Sequence, residues 1–595
     1  MKKLNEKKIN IILCVILVAL TVFRLLIHLK MPLAIFPEEG FDDRLCYEHG
    51  FALARLDYLG EYNYLVLSKY YMYGLFMAIC YFLMIPYSLG LGLLNVGSAY
   101  ALKRALGAKL GKVECAVIYL LCIYNPVYFT SNITQRVYRN AILPSAVVLV
   151  MATFFGIYFN AGVNKKKMLL WSILGALALP FMWYIKEDSI WIAPFMLVTY
   201  VLTAVKLILA TKSKVGVTAG CDDAAKAEEG APAGPDDAAK AEDGAPAKAK
   251  SGICIKRAAG PVAIALIPIY SLIAVTLLIS VLNYTHYGVF MTNDRKQGEF
   301  AKLIGNLMSI ESDDKNEVIW VSNSMIKEAE KYSPTLASID EILVGENDEP
   351  GDHIEWHLKF AMVNSGVHYS ATDAEEFCGK VNDELEVAFR EGKLKRDSLI
   401  HITKGMRGMT IGEIFGEIPD AFVFVWNGFR YTNTGYADFY NSYGNYDDVR
   451  RVEAFLGSIA SYYYDDFSIK YGVYPIKIGN ILVKTYQALS WITAIASIGI
   501  FLGMTIDKIR CLIKKIKADN DLYIMALGSI LTALVVAYEF AVFSSFYTQE
   551  MISNYRAFYL CGEYMLVFMF KMICIGWGYS RLVKIIKSKK SKKQA

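Results

Sequence analysis

Ten runs of predominantly apolar residues constrain this chain more than any other feature. They lie at 9–28, 86–104, 113–130, 140–159, 167–184, 189–210, 258–282, 479–504, 521–546 and 557–579. About 20 such residues is the length an α-helix needs to cross the hydrocarbon of a bilayer. Inside that layer only helices and closed barrels satisfy their own backbone hydrogen bonds. The runs therefore predict an all-α polytopic protein of a cell membrane. Composition agrees, since 55% of the 595 residues are hydrophobic and only 20% charged. The first run follows Met1-Lys2-Lys3 as a signal peptide would, but no small-residue cleavage site follows it and Arg24 interrupts it. It reads as a retained helix.

Charge sets the expected topology. With the N-terminus inside, ten crossings place Lys103-Arg104 to Lys112, Lys165-Lys166-Lys167, Lys206 to Arg257, Asp507 to Lys517 and Arg581 to Lys593 on the cytoplasmic side. Every basic cluster then obeys the positive-inside rule, and both termini are inside. Counting the apolar stretch 69–85 as an eleventh crossing would invert all of them. That stretch is predicted to lie at or dip into the outer leaflet, where Tyr70, Tyr71, Tyr73 and Tyr81 suit the interface. The expected parts are a membrane module at 1–210 with its first external loop at 29–85, a linker at 211–257, a span at 258–282, an α-rich mixed extracytoplasmic domain at 283–478, and C-terminal spans with a basic tail at 479–595. Within the linker, Asp222 to Pro232 is nearly repeated from Asp236 to Pro246 in Ala, Asp, Glu, Lys, Gly and Pro. Without large apolar residues it is expected to be disordered. The net charge of +5 resides largely in short basic loops, so it reports orientation, and no nucleic-acid motif is present. Most of the 11 cysteines sit in apolar runs as small hydrophobes. Cys46 and Cys378 would both face outside, where a bridge between them is open.

The residues with chemistry gather at the predicted outer edge. Glu38, Glu39, Asp42 and Asp43 follow the first span directly, and acids at a membrane edge are costly unless paired or used. Asp42 has a second reading, as the cap of a helix suggested by Leu45, Phe51, Ala52, Leu53 and Leu56. Arg136, Tyr138 and Arg139 in one short loop and Lys186 in another are placed to grip a phosphate, or else to snorkel toward headgroups. Glu187 and Asp188 can pair with Lys186 or help Asp42 and Asp43 hold a divalent cation such as Mg²⁺ or Mn²⁺, with pairing preferred because no spacing specifies a metal. His353 and His357 share a helix face, half of a zinc site, but not in the His-Glu-x-x-His order. Trp426, Phe429, Tyr431, Tyr436, Phe439, Tyr440, Tyr443, Tyr446, Tyr462, Tyr463 and Tyr464 stand among Asn, Asp and Gly. Such aromatics can stack on sugar rings, or form an interface belt or a small core. No nucleophile elbow, phosphate-cradling Gly loop or dinucleotide fingerprint stands in a fitting context.

The run Asp42-Asp43-Arg44-Leu45-Cys46-Tyr47, then Ala52, Leu56 and Gly60-Glu61-Tyr62, an outer-leaflet helix and a span ending in Lys103-Arg104, resembles the GT-C superfamily of polytopic glycosyltransferases that use lipid-linked sugars. The likeness covers chiefly residues 9–210. It implies a first-loop acid near the catalytic centre, which maps to Asp42 or Asp43, and inversion at the anomeric carbon. The expected chemistry is transfer of a sugar from a polyprenyl-phosphate donor to an envelope glycan or protein, with one aspartate as general base. Arg136, Arg139 and Lys186 would stabilise the departing phosphate. Two departures stand: Ser68-Lys69-Tyr70-Tyr71 occupies the place of a His-Pro-Pro-like element of some relatives, and 131–139 carries no acid. Competing expectations are a lipid or polysaccharide flippase, which acids in mid-helix would favour, and a non-enzymatic scaffold binding an envelope polymer.

Overall fold

The computed structural model describes residues 2–40, 42–227, 257–402, 405–437, 440–462, 466–516, 519–545 and 549–594. The described elements are helices, and β-pairing is confined to isolated bridges. Among them eight helices are long and apolar enough to cross a membrane, at 10–29, 112–129, 143–160, 189–212, 267–287, 472–513, 521–544 and 561–589. This is an all-α protein with the helices of a multi-pass membrane protein. Helix α1 is Lys2–Leu29, α2 Asp43–Ala54, α3 Met72–Phe82, α4 Tyr87–Leu106, α5 Lys112–Ile123, α6 Leu143–Asn160, α7 Lys165–Trp183 and α8 Ala193–Ala227. Helix α8 thus runs past residue 211, the expected start of the linker; the part of that linker at 228–256 lies outside the described residues.

The apolar stretch 69–85 does not continue straight into the next helix. Helices α3 and α4 meet at 110°. The corner has a local cause: Met84 takes a left-handed backbone (φ 53), and Pro86 stands immediately before α4 with φ −50, where its ring fixes the turn and no N–H is lost from the helix. Helix α2 lies against α3 because glycines meet between them. A Cβ at Gly74 would stand 2.8 Å from the Cβ of His49 and 3.0 Å from the backbone nitrogen of Gly50. That close approach holds Asp42, just before α2, beside Lys69, just before α3.

A short extended piece after α1 anchors the same region. Ala34 pairs with the segment carrying Arg136, its N–H donating to the Gln135 carbonyl at 2.8 Å and its carbonyl accepting from Val137 at 3.1 Å. On its other side Leu33 donates to Ile459 at 2.8 Å and accepts from Ser461 at 2.7 Å. These bonds join three stretches far apart in sequence, so the positions of Asp42 and Arg136 follow from one scaffold.

The stretch 283–478 divides among three cores, the smallest joining Tyr287, Val289, Met291 and Ala371 to Leu59, Val66 and Leu67 of the first loop. From Phe300 to Leu394 the helices close on a core of their own around Trp320, Leu358 and Val381, and the isolated bridges are the only pairing that makes this region mixed. By contrast, Phe424, Phe429, Tyr431 and Tyr436 are buried in the same core as the spans, with Trp426 edge-on to Trp491 at 5.2 Å. Phe429, Tyr431 and Tyr436 of the aromatic-rich run are therefore core, with Trp426 and Tyr462 packed against it. Tyr443 and Tyr446 remain half exposed, while Phe439, Tyr463 and Tyr464 lie outside the described residues. Cys46 and Cys378 are both buried free thiols, so no bridge joins them.

Candidate functional site

A cavity of about 570 Å³ opens between loop 29–85, the segment 138–143, the turn 186–191, the helix His353–Asn364 and the far end of the helix Asp521–Ser544. Asp42, Tyr138, Arg139, Lys186, Glu187 and Asp188 all line it. Asp43 and Arg136 do not; they stand behind its wall, bonded to one another.

Asp42 is not the helix cap that its position allows. It precedes α2 but its side chain makes no capping bond. Its carboxylate instead takes the Lys69 ammonium at 2.5 Å and the Tyr138 hydroxyl at 3.0 Å. The same hydroxyl accepts from Arg139 Nε at 3.0 Å and from Lys69 at 3.3 Å. Arg139 then spans to Glu187 with bonds of 2.8 and 2.6 Å, and Glu187 is fixed further by the Tyr70 backbone N–H at 2.9 Å. Lys186 pairs with Asp188 at 3.0 Å. Acid and base thus alternate along one wall, with Tyr138 at the junction.

The two aspartates have different surroundings. The Asp42 side chain is 47% exposed toward the cavity, whereas that of Asp43 is 0% exposed and held by two parallel bonds from Arg136. Burial pushes Asp42 up, but Lys69, then Arg139 and Arg136, outweigh it and hold the carboxyl well below its usual range. Burial raises Asp43 to about 6 in spite of Arg136, with Asp42 and Glu39 adding to the rise. Arg136 gives the opposite indication: burial works against its charge, yet Asp43 holds it above its ordinary value. Paired donors at a buried carboxylate favour the charged pair, and we take Asp43 and Arg136 as ionised at neutral pH. The Glu187 side chain is mostly buried, which pushes its carboxyl up, but Arg139, Lys69 and the Tyr70 N–H outweigh that and bring it down to about 2.

The far wall comes from residues whose role their sequence positions do not show. Arg295 binds Asp352 at 2.9 Å and also Glu355, and its guanidinium lies 4.4 Å from the centre of the Trp356 ring. Lys296 extends beside it with no ion pair among the described residues. Glu539, in the span 521–544, reaches the cavity between Val536 and Phe540 with no hydrogen bond or ion pair among the described residues. An acid within a span is a functional signal by default, and so is a lysine at the head of an apolar stretch facing an acidic loop, as Lys69 is. His353 and His357 line the cavity too, but His357 is bonded to the Leu343 carbonyl at 3.0 Å. Among the described residues no group of three or more His, Cys, Asp or Glu could hold a metal ion. Glu187 and Asp188 are taken up by Arg139 and Lys186 instead of a cation shared with Asp42 and Asp43.

The apolar side of the cavity is made by Leu143, Ile190, Trp191, Phe540, Phe543 and Phe558, at or near the ends of the apolar helices. Such a wall can take a hydrocarbon chain while the charged wall takes a polar or anionic head. Comparison with protein-family models, with curated proteins and with solved structures returns no match. The class rests on fold and site alone: an all-α membrane protein with a charged, one-sidedly apolar cavity at one end of its helices.

Proposed function

We propose that this protein is a membrane glycosyltransferase of GT-C type, moving a sugar from a polyprenyl-phosphate donor to an envelope glycan or protein on the extracytoplasmic side of the cell membrane. The observation that carries the reading is that one cavity gathers Asp42, Tyr138, Arg139 and Lys186 opposite an apolar wall. On this reading the polyprenyl chain lies along Trp191, Phe540 and Phe558, and the phosphate meets Arg139, Lys186 and Lys69. The ten-span, N-inside topology belongs to the same proposal, with α3 lying along the outer leaflet before the 110° corner.

Asp42 is the base in this scheme. The acceptor hydroxyl oxygen bonds to the anomeric carbon as the bond from that carbon to the phosphate oxygen breaks; the proton passes to Asp42 and the electron pair leaves with the polyprenyl phosphate. Beside Lys69 the resting carboxylate is a weak base. A donor phosphate that draws the Lys69 ammonium toward itself weakens that pair and raises the proton affinity of Asp42 when the donor is in place. Asp43, sealed behind Arg136, positions the segment and does not touch substrate.

The test is transfer from a labelled polyprenyl-phosphate sugar in proteoliposomes. A positioned general base contributes roughly 10²–10⁴-fold, so Asp42→Asn is expected to lose activity on that order. Undiminished transfer removes Asp42 from the mechanism. One observation favours a second reading, a lipid or polysaccharide flippase: Glu539 and Glu563 lie within apolar helices without hydrogen-bond partners among the described residues. Movement of labelled lipid between leaflets with no sugar transferred to any acceptor would select it.

A further inference from the structure

A second cavity, of about 980 Å³, lies at the opposite end of the helices. It is bounded where α4 ends, where α5 and α7 begin and by the first half of α1, whereas the first site is near the other ends of α1 and α6. Its walls are apolar, built on Leu93, Gly97, Ala101, Leu170, Trp171 and Leu174. Two of the polar groups within them are used by their own helices: Ser98 donates to the Asn95 carbonyl at 2.9 Å and Asn160 to the Gly156 carbonyl at 2.7 Å. Leu93, Tyr100 and Leu170 are partly exposed at its mouth, so the groove opens sideways between helices.

Four cations, Lys103, Arg104, Lys112 and Lys167, line one end of this groove. None has a carboxylate partner among the described residues. Of the basic residues nearby that do not line it, Lys109 pairs with Asp519 and Asp521 at 2.8 and 2.7 Å and Lys206 with Asp521 at 2.9 Å, whereas Lys165 and Lys166 stand off the groove with no carboxylate partner among the described residues. Positive charge at helix ends alone would need no further explanation. Here four cations without carboxylate partners among the described residues line the same slot as the apolar walls, a combination that matches a molecule with a hydrocarbon body and an anionic head.

We propose that this groove binds an anionic phospholipid of the surrounding leaflet, its acyl chains along the α4 and α7 walls and its phosphate among Lys103, Arg104, Lys112 and Lys167. The proposal is independent of the sugar-transfer reading. Gly97 supplies a way to test the slot without touching charge, because a Cβ there meets nothing within 4 Å. Gly97→Phe would place a ring in the open space.

The experiment is native mass spectrometry of the detergent-purified full chain with phosphatidylglycerol or phosphatidylcholine added. The wild type is expected to retain phosphatidylglycerol in preference. Replacing all four cations with Gln is expected to weaken that retention by roughly 10- to 1,000-fold, from the typical contribution of each basic residue near an anionic lipid. Gly97→Phe should weaken it as well, and Lys165→Gln with Lys166→Gln, on the same helix but off the groove, should not. Equal retention of the two lipids by the wild type overturns the proposal. Full retention by either Gly97→Phe or the four-cation variant does so too, the first placing the lipid outside the slot and the second removing the headgroup contact.

Discussion

Arg136 and Asp43 separate the acid that supports the site from the acid that faces substrate. The Asp43 side chain is wholly enclosed and that of Arg136 is 13% exposed. Removing the guanidinium alone, as Arg136→Met, leaves a carboxylate in apolar surroundings. Breaking one partner of such a pair costs roughly 3–5 kcal/mol. Counting bonds gives a similar figure, about 3–6 kcal/mol, because two hydrogen bonds to charged groups at about 1.5–3 kcal/mol each are lost. The methionine stem keeps contact with Phe36, Tyr138 and Phe558, whose ring centres lie 5.4, 4.9 and 5.2 Å from the guanidinium carbon. Removing both charges, as Asp43→Leu with Arg136→Met, leaves nothing uncompensated, and such replacements are commonly neutral or stabilising by about 1–4 kcal/mol. The double variant is therefore expected to recover most of what the single one loses, measured by SDS unfolding in mixed micelles. It is also expected to keep sugar transfer, because neither side chain reaches the cavity. A double variant as unstable as Arg136→Met would refute the energetic argument; one that folds fully yet transfers nothing would place Asp43 or Arg136 in the chemistry.

Tyr138→Phe removes the hydroxyl shared by Asp42, Lys69 and Arg139, and leaving buried donors without it is expected to cost roughly 1–3 kcal/mol, read in the same unfolding assay. Glu187 is held at about 2 against 4.5 in a free chain, so the folded state binds fewer protons between those values. Its contribution, on the order of 3 kcal/mol, is full above pH 4.5 and lost as pH falls toward 2; Glu187→Gln is expected to flatten that part of the stability profile. Glu563 is fully buried with neither oxygen bonded among the described residues, and Glu563→Met is expected to stabilise by about 1–3 kcal/mol. For topology, Gly107→Cys is expected to react with an impermeant thiol reagent only from inside and Leu56→Cys only from outside, the reverse pattern sinking the N-inside arrangement.

Much of this protein is legible in one dimension because the bilayer imposes a local requirement. A crossing helix must be apolar along its length, whatever it touches, so Leu143–Asn160 or Asp521–Ser544 announces itself in the order of residues. The corner between α3 and α4 is foreshadowed by Pro86, and the clustering of Asp42 with Arg139 and Lys186 by their common place at the ends of apolar runs. What the order of residues could not settle is where each side chain points. Asp42 and Asp43 are adjacent and chemically alike; a helical turn and the Arg136 segment, pinned by Ala34, send one to the cavity and close the other away. Lys69, Arg295 and Glu539 come from three distant stretches, and only packing brings them to one hollow. The same holds for the aromatic run after residue 424, which composition offers equally to sugars, lipid or core. Burial chose core for Phe429, Tyr431 and Tyr436 and left Tyr443 and Tyr446 half exposed, because contact area is a property of neighbours in space.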